Sequence, residues 1–201
     1  MIQKPADTEV TIETVIAERW SGRVYDATTP VTEAEITALT EAARWAPSCF
    51  GDEPWRYILW DKFTDPDNWQ KAFDCLAEGN QQWAKNAPLL ILAASVETFS
   101  QNDKTNRWSG YDTGAASLSL CLQATAMGLM SHQMGGFDVE KLRKTFDLPS
   151  DLHLWSMMAI GHAAPLDDLT PEQLERELKP RERRPLAEQF FHGGWQKSRQ
   201  I

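Results

Sequence analysis

The sequence predicts an α+β protein, with helices packed around a mixed sheet. Two segments carry most of that expectation. After Pro88 the run Leu89-Leu90-Ile91-Leu92-Ala93-Ala94 is continuously apolar, as a strand buried on both faces must be. Residues 111–129 hold Gly114, Ala115, Ala116, Ser117, Leu118, Leu120, Cys121, Leu122, Ala124 and Met127, apolar or small almost all round. That pattern describes a central helix buried on nearly every side, with a partner subunit as one candidate for covering it.

The other elements follow in chain order. Val10, Ile12, Val15, Ile16 and Trp20 suit an amphipathic helix over 9–20. Thr32 with Glu35 three residues on forms a capping box, opening a helix through Ile36, Leu39, Ala42, Ala43 and Ala46 that ends before Pro47. Residues 55–60 read as a strand and 65–78 as a helix. Asp138 caps a short helix over 139–146, residues 154–160 form another strand, and 165–180 form a surface helix before a basic tail segment reaching Trp195. No repeat, low-complexity tract or linker divides residues 1–201, so one domain is expected.

Composition narrows the function. The 201 residues are 42% hydrophobic and 24% charged, a globular balance, and a net charge of −9 argues against nucleic acid and anionic lipid as partners. Met1–Thr11 is polar and acidic, unlike a secretory leader, and the longest apolar stretch, 87–96, is too short to span a bilayer. Cys49, Cys75 and Cys121 show no CxxC spacing, which suggests reduced thiols in the cytoplasm. His132, His153, His162 and His192 have neither metal-ligand spacing nor an evident carboxylate partner, so no metal site is expected. Nine tryptophans suit either a bound aromatic cofactor, a subunit interface or an ordinary Trp-rich core.

Three loops are candidates for chemistry. In so acidic a chain, Arg19-Trp20-Ser21-Gly22-Arg23 and the group Arg181, Arg183 and Arg184 stand out. Guanidinium forks with a hydroxyl can hold a phosphate, although Arg19 also suits a helix C-terminus and the tail arginines a solvated surface. No P-loop or GxGxxG fingerprint is present. The second loop, Ala46-Pro47-Ser48-Cys49-Phe50-Gly51-Asp52-Glu53-Pro54-Trp55-Arg56-Tyr57, joins a helix to a strand and offers backbone groups to a ligand. In the third, Met134-Gly135-Gly136, paired glycines allow close backbone approach to a flat molecule. Each also serves as an ordinary connection when taken alone. Phe99 and Trp108 flank a polar segment, 101–107, read as a mobile loop.

The order and spacing of these pieces resemble the nitroreductase family. The match runs from Arg19-x-Ser21-x-Arg23-x-Tyr25 through Ala46-Pro47-Ser48 and Pro54-Trp55, then Asn80 and Ala87-Pro88. It continues through Gly114-Ala115-Ala116, Gly135-Gly136-Phe137-Asp138 and Ile160-Gly161-His162 to Arg181-x-Arg183-Arg184-Pro185-Leu186. The resemblance implies a mostly antiparallel sheet and an intertwined homodimer whose C-terminal segment, about 181–201, extends onto the partner. It implies FMN at the interface, NAD(P)H as electron donor, and a small electrophilic acceptor such as a nitroaromatic or quinone, reduced by a ping-pong mechanism.

By the same resemblance, Arg19, Trp20, Ser21 and Arg23, with Arg181 and Arg183, would hold the flavin phosphate and pyrimidine edge. Pro47, Ser48, Cys49, Phe50, Gly51 and Glu53 would reach the flavin from the other subunit. Asn80 would contact the ring, and Met134, Gly135 and Gly136 would lie beside flavin N5. No protein side chain need act as the catalytic group, since the cofactor supplies the redox chemistry. Phe99 and Trp108 would border the acceptor. Where many members of the family have Asn and Gln, this chain has Gly51 and Glu53, a carboxylate that would need a partner such as Arg56. Alternatives are an FMN-binding protein without nicotinamide turnover, flavin breakdown and reductive dehalogenation.

Overall fold

In the computed structural model, which describes residues 2–197, the apolar run becomes β2 (Leu89–Val96), one of the two inner strands of a four-stranded sheet. It pairs antiparallel with β1 (Trp55–Asp61) on one side and β4 (Leu152–Gly161) on the other, and β4 pairs antiparallel with the edge strand β3 (Met130–Met134). The two-residue period of a strand divides β2 between two cores. Leu90, Leu92 and Ala94 face a cluster with Trp60, Trp69, Trp83 and Met157, whereas Leu89, Ile91 and Ala93 face one with Leu39, Leu120 and Ile160. Helices α3 (Pro66–Phe73), α4 (Glu78–Ala84) and α6 (Val139–Thr145) contribute to the first cluster. Helices α2 (Glu33–Arg44) and α5 (Ser109–Ala126) contribute to the second.

Local chemistry sets the helix ends. Thr32 accepts from the Glu35 N–H and the Glu35 carboxylate accepts from the Thr32 N–H, completing the capping box of α2. Asp138 and Asp65 cap α6 and α3 in the same way, through one acceptor each. A second box, Thr170 with Gln173, starts α7 (Pro171–Leu178) with Pro171 at a helix-compatible first-turn position.

Several expectations need correction. Only Thr14–Glu18 (α1) is helical in the first segment; its N-cap, Glu13, makes no side-chain bond, and Val10 stays 71% exposed. The helix expected over 65–78 breaks at Asp74, because Cys75 and Leu76 turn inward and bond to Asp138 and Phe137, and α4 then starts afresh. Strand β3 was not anticipated: Ser131, His132 and Gln133 interrupt its apolar alternation. Helix α5 is not buried all round. Tyr111 (77% exposed) and Leu118 (50%) lie on an outward stripe with Gly114. Tryptophans divide similarly, with Trp55, Trp60, Trp69 and Trp83 in the cores and Trp45, Trp108, Trp155 and Trp195 outside. Residues 198–201 of the expected partner-wrapping segment lie outside the described residues. Among the described residues no helix is long and apolar enough to cross a membrane.

Candidate functional site

Residues 19–24 run extended from the end of α1, so their side chains alternate. Arg19, Ser21 and Arg23 lie toward solvent, and Gly22 and Val24 are buried beneath them. Tyr25 pins the far end, its hydroxyl donating to the Ala159 carbonyl at 3.0 Å inside the core. Gly22 suits a close approach, since a Cβ there would stand 2.6 Å from Met130 Sδ and push that side chain aside. Arg19 Nη1 donates to Ser21 Oγ at 3.2 Å, which aligns two of the three polar groups.

The C-terminal half closes over this segment through a residue that the sequence does not mark. Glu177, in the last turn of α7, is 2% exposed. Its Oε2 accepts the Arg23 backbone N–H at 3.2 Å, its Oε1 lies 3.4 Å from Arg176 Nε, and its carbonyl accepts Lys4 Nζ at 2.7 Å. Beyond Pro180, Arg181 Nη1 donates to the Lys4 and Ala17 carbonyls at 2.7 and 2.8 Å. The result is a groove of about 450 Å³ in which Arg19, Trp20, Ser21, Arg23, Arg181 and Arg183 meet.

Its electrostatics are those of an anion site. Burial pushes the Arg19 guanidinium below its ordinary pKa, and Arg183 adds to the depression. Burial does the same to Arg181, reinforced by Arg19 and Arg183. Among the described residues none of Arg19, Arg23, Arg181 or Arg183 forms a salt bridge, so like charges gather with their counter-charge missing from their own side chains.

A second part of the site adjoins the groove through α4 and β3. Asn80 Nδ2 donates to the Gly136 carbonyl at 2.9 Å, and a Cβ on Gly136 would stand 2.9 Å from that nitrogen. A Cβ on Gly135 would meet nothing within 4 Å, so that side of its backbone is open to approach. One turn beyond Asn80, the Trp83 ring carries Arg23 on one contact, at 6.0 Å, and His132 on another, at 4.5 Å. Burial first, then the charges of Arg23 and Arg19, lowers the pKa of His132. His132 is therefore neutral, and its contact with the Gly22 carbonyl at 3.1 Å makes Nδ1 the protonated nitrogen. Sequence reasoning passed over His132 as it did Glu177. The other two described histidines with close neighbours do have carboxylates nearby, contrary to expectation: His153 lies 3.5 Å from Glu97 and His162 3.9 Å from Glu35.

The loop from Pro47 to Glu53 stands apart, and none of its residues lines the arginine groove of its own chain. It is anchored to α5 instead. The Cys49 N–H donates to the buried Asp112 carboxylate at 2.9 Å, and the Glu53 N–H donates to Ser48 Oγ at 3.1 Å. Asp52 accepts from the Ser100 N–H and hydroxyl, tying the loop to the 97–106 turn. Phe50, Gly51 and Glu53 all have positive φ, near 57°, 67° and 49°. Arg56 reaches the backbone carbonyl of Glu53, not the carboxylate that was expected to pair with it. Phe50, 81% exposed, meets Phe99 edge-on at 5.8 Å, and Trp108 meets Tyr111 at 6.2 Å. These form an exposed aromatic rim at the α5 end of the molecule.

A family model described as the nitroreductase family matches residues 16–162. A solved oxidoreductase containing FMN is 31% identical, superposes with a TM-score of 0.86 and covers 96% of both chains. Protein DrgA of Synechocystis is 30% identical over 73% of this chain and 81% of its own length. A putative NADH dehydrogenase/NAD(P)H nitroreductase of Streptomyces coelicolor is 26% identical over 69% of this chain and 76% of its own.

Proposed function

The chain belongs to the nitroreductase family, and from that premise we propose that it is an FMN-dependent oxidoreductase. It takes electrons from a reduced nicotinamide and passes them, by a ping-pong mechanism, to small electrophiles such as nitroaromatics or quinones. The observation that carries the reading is the arginine groove, where Arg19, Arg23, Arg181 and Arg183 gather beside a serine hydroxyl and, among the described residues, form no salt bridge with a carboxylate. A phosphate monoester, with a charge of about −1.5 to −2 at neutral pH, fits that donor set. When bound, FMN supplies the hydride and electron chemistry.

The chain's own residues do the rest. Arg19, Ser21, Arg23, Arg181 and Arg183 bind the phosphate end, flanked by Trp20. Neutral His132 and the Trp83 ring hold Gly22 and Arg23 in place. Asn80 fixes the Gly136 turn, so that backbone from Met134 to Gly136 can lie close to a flat ring. The loop Pro47–Glu53 and the aromatics Phe99 and Trp108 serve the groove of a second copy. The unpartnered apolar stripe on α5 supports that arrangement as a homodimer. We place the protein in the cytoplasm, in keeping with three unpaired thiols.

An absorbance spectrum of the purified protein, before and after anaerobic addition of a reduced nicotinamide, tests the reading. Flavin bands that bleach are expected. Bands that persist would leave a binding protein without turnover, and a colourless protein that cannot be reconstituted with FMN would overturn the assignment.

A further inference from the structure

We propose that the basic groove accommodates a second phosphate monoester beside that of FMN, and that NADPH is for this reason the preferred donor over NADH. The inference rests on the functional reading above and deepens it. Lys and Arg outnumber Glu in the groove seven to two, in a chain whose net charge is −9. One monoester of charge about −2 leaves much of that local excess uncompensated.

The cations fall into two tiers. Arg19 and Arg181 form the inner one: both are partly buried, Arg19 is aligned on Ser21, and Arg181 is tied to the Lys4 and Ala17 carbonyls. Arg176 and Lys179 form the outer tier, exposed on the last turn of α7 and just after it. Their donors are largely uncommitted. Arg176 turns only Nε toward Glu177, and Lys179 makes no side-chain hydrogen bond among the described residues.

NADH and NADPH share every group except the monoester on the adenosine 2′ oxygen. A molecule of net charge −9 repels the more highly charged donor more strongly at range, so a preference for it must come from local donors. Arg176 and Lys179, three residues apart and both lining the groove, are such donors. The same two cations also suit the C-terminal end of α7, a role that would affect stability and not donor choice.

The test uses the FMN-loaded protein, its Lys179→Gln variant and the double variant Arg176→Gln/Lys179→Gln. Reduction of the flavin by NADPH and NADH is followed by anaerobic stopped flow, and binding of 2′,5′-ADP and 5′-AMP by calorimetry. Preference for NADPH and for 2′,5′-ADP of roughly tenfold or more is expected, as for a charge-assisted contact. Each substitution should erode it, while flavin content and the NADH rate hold. Equal use of the two donors by the unaltered protein overturns the inference alone. So does a variant that melts earlier with its donor ratio intact, or one that loses FMN, which would assign the outer tier to the flavin phosphate. Failure of both donors to reduce the flavin would overturn the inference together with the functional reading beneath it.

Discussion

Replacing Arg19 with Ala should separate ligand binding from stability, because the structure makes the first effect large and the second small. Arg19 is partly buried, lies beside Ser21 Oγ at 3.2 Å, and suffers repulsion from Arg183. With an anion bound, its guanidinium makes charge-assisted hydrogen bonds worth about 1.5–3 kcal/mol. Removing it should weaken FMN binding by about 10- to 150-fold. Without the anion, the same removal relieves the repulsion that Arg181 and Arg183 feel and loses only an exposed bond and some packing of the aliphatic stem. The apoprotein should then melt within about 2 °C of the parent. Flavin fluorescence titration supplies the dissociation constant, and thermal melts with and without FMN supply the stability. An affinity within twofold of the parent would refute the argument. An apoprotein melting several degrees lower, in step with a lost affinity, would refute it too, by making Arg19 a structural residue. Adding Arg183→Ala should weaken binding further still.

Other substitutions probe the remaining parts. Gly161→Ala would set a Cβ 2.7 Å from Pro88 Cγ and 3.1 Å from the buried Tyr25 ring, neither free to move; overpacking of about 1–3 kcal/mol should lower the melting temperature by roughly 2–12 °C. Gly136→Ala should displace Asn80 and weaken flavin binding with little change in the apoprotein melt, and a flavin affinity equal to the parent's would count against the Asn80 assignment. Leu118→Glu, on the outward stripe of α5, should yield a monomer by sedimentation, and an unchanged dimer would place the interface elsewhere. Hydrogen bonds from the Thr28 and Thr29 hydroxyls hold Asp26 down at about 2. A depressed carboxylate stabilises the fold above its unfolded value of about 3.9, and that contribution fades as pH falls toward 2. The urea midpoints of the parent and Asp26→Asn should therefore converge over that interval; a constant gap would show that Asp26 acts through something other than its charge.

What the sequence made legible was local or strongly periodic. The Thr32–Glu35 box needs only four residues, and the apolar run of β2 is unmistakable because both of its faces are covered. What escaped depended on distant neighbours. Strand β3 exists because β4 offers it a ladder, and its own Ser131-His132-Gln133 stretch gives no alternating signal. The break between α3 and α4 follows from Cys75 and Leu76 meeting residues more than sixty positions away. Glu177 sits in a polar helix whose other turns face solvent, and nothing in that sequence marks one carboxylate as buried. Asp112, hidden at the start of α5, holds the Ser48 loop by a single acceptor and was equally silent. The arginine groups were visible because they stand against an acidic background, but their convergence required the fold.

The loop carrying Phe50, Gly51 and Glu53 imposes a lasting conformational tension. Two of these left-handed residues are not glycine, and each costs energy that the loop recovers through Asp112 and Ser48. A loop shaped in advance loses little freedom when a ligand arrives, whereas one that had to be ordered on contact would bind more weakly. Relaxing Glu53 to glycine would make the loop cheaper to fold and yet freer to wander. A gain in melting temperature could then come with a slackened grip on whatever the loop touches.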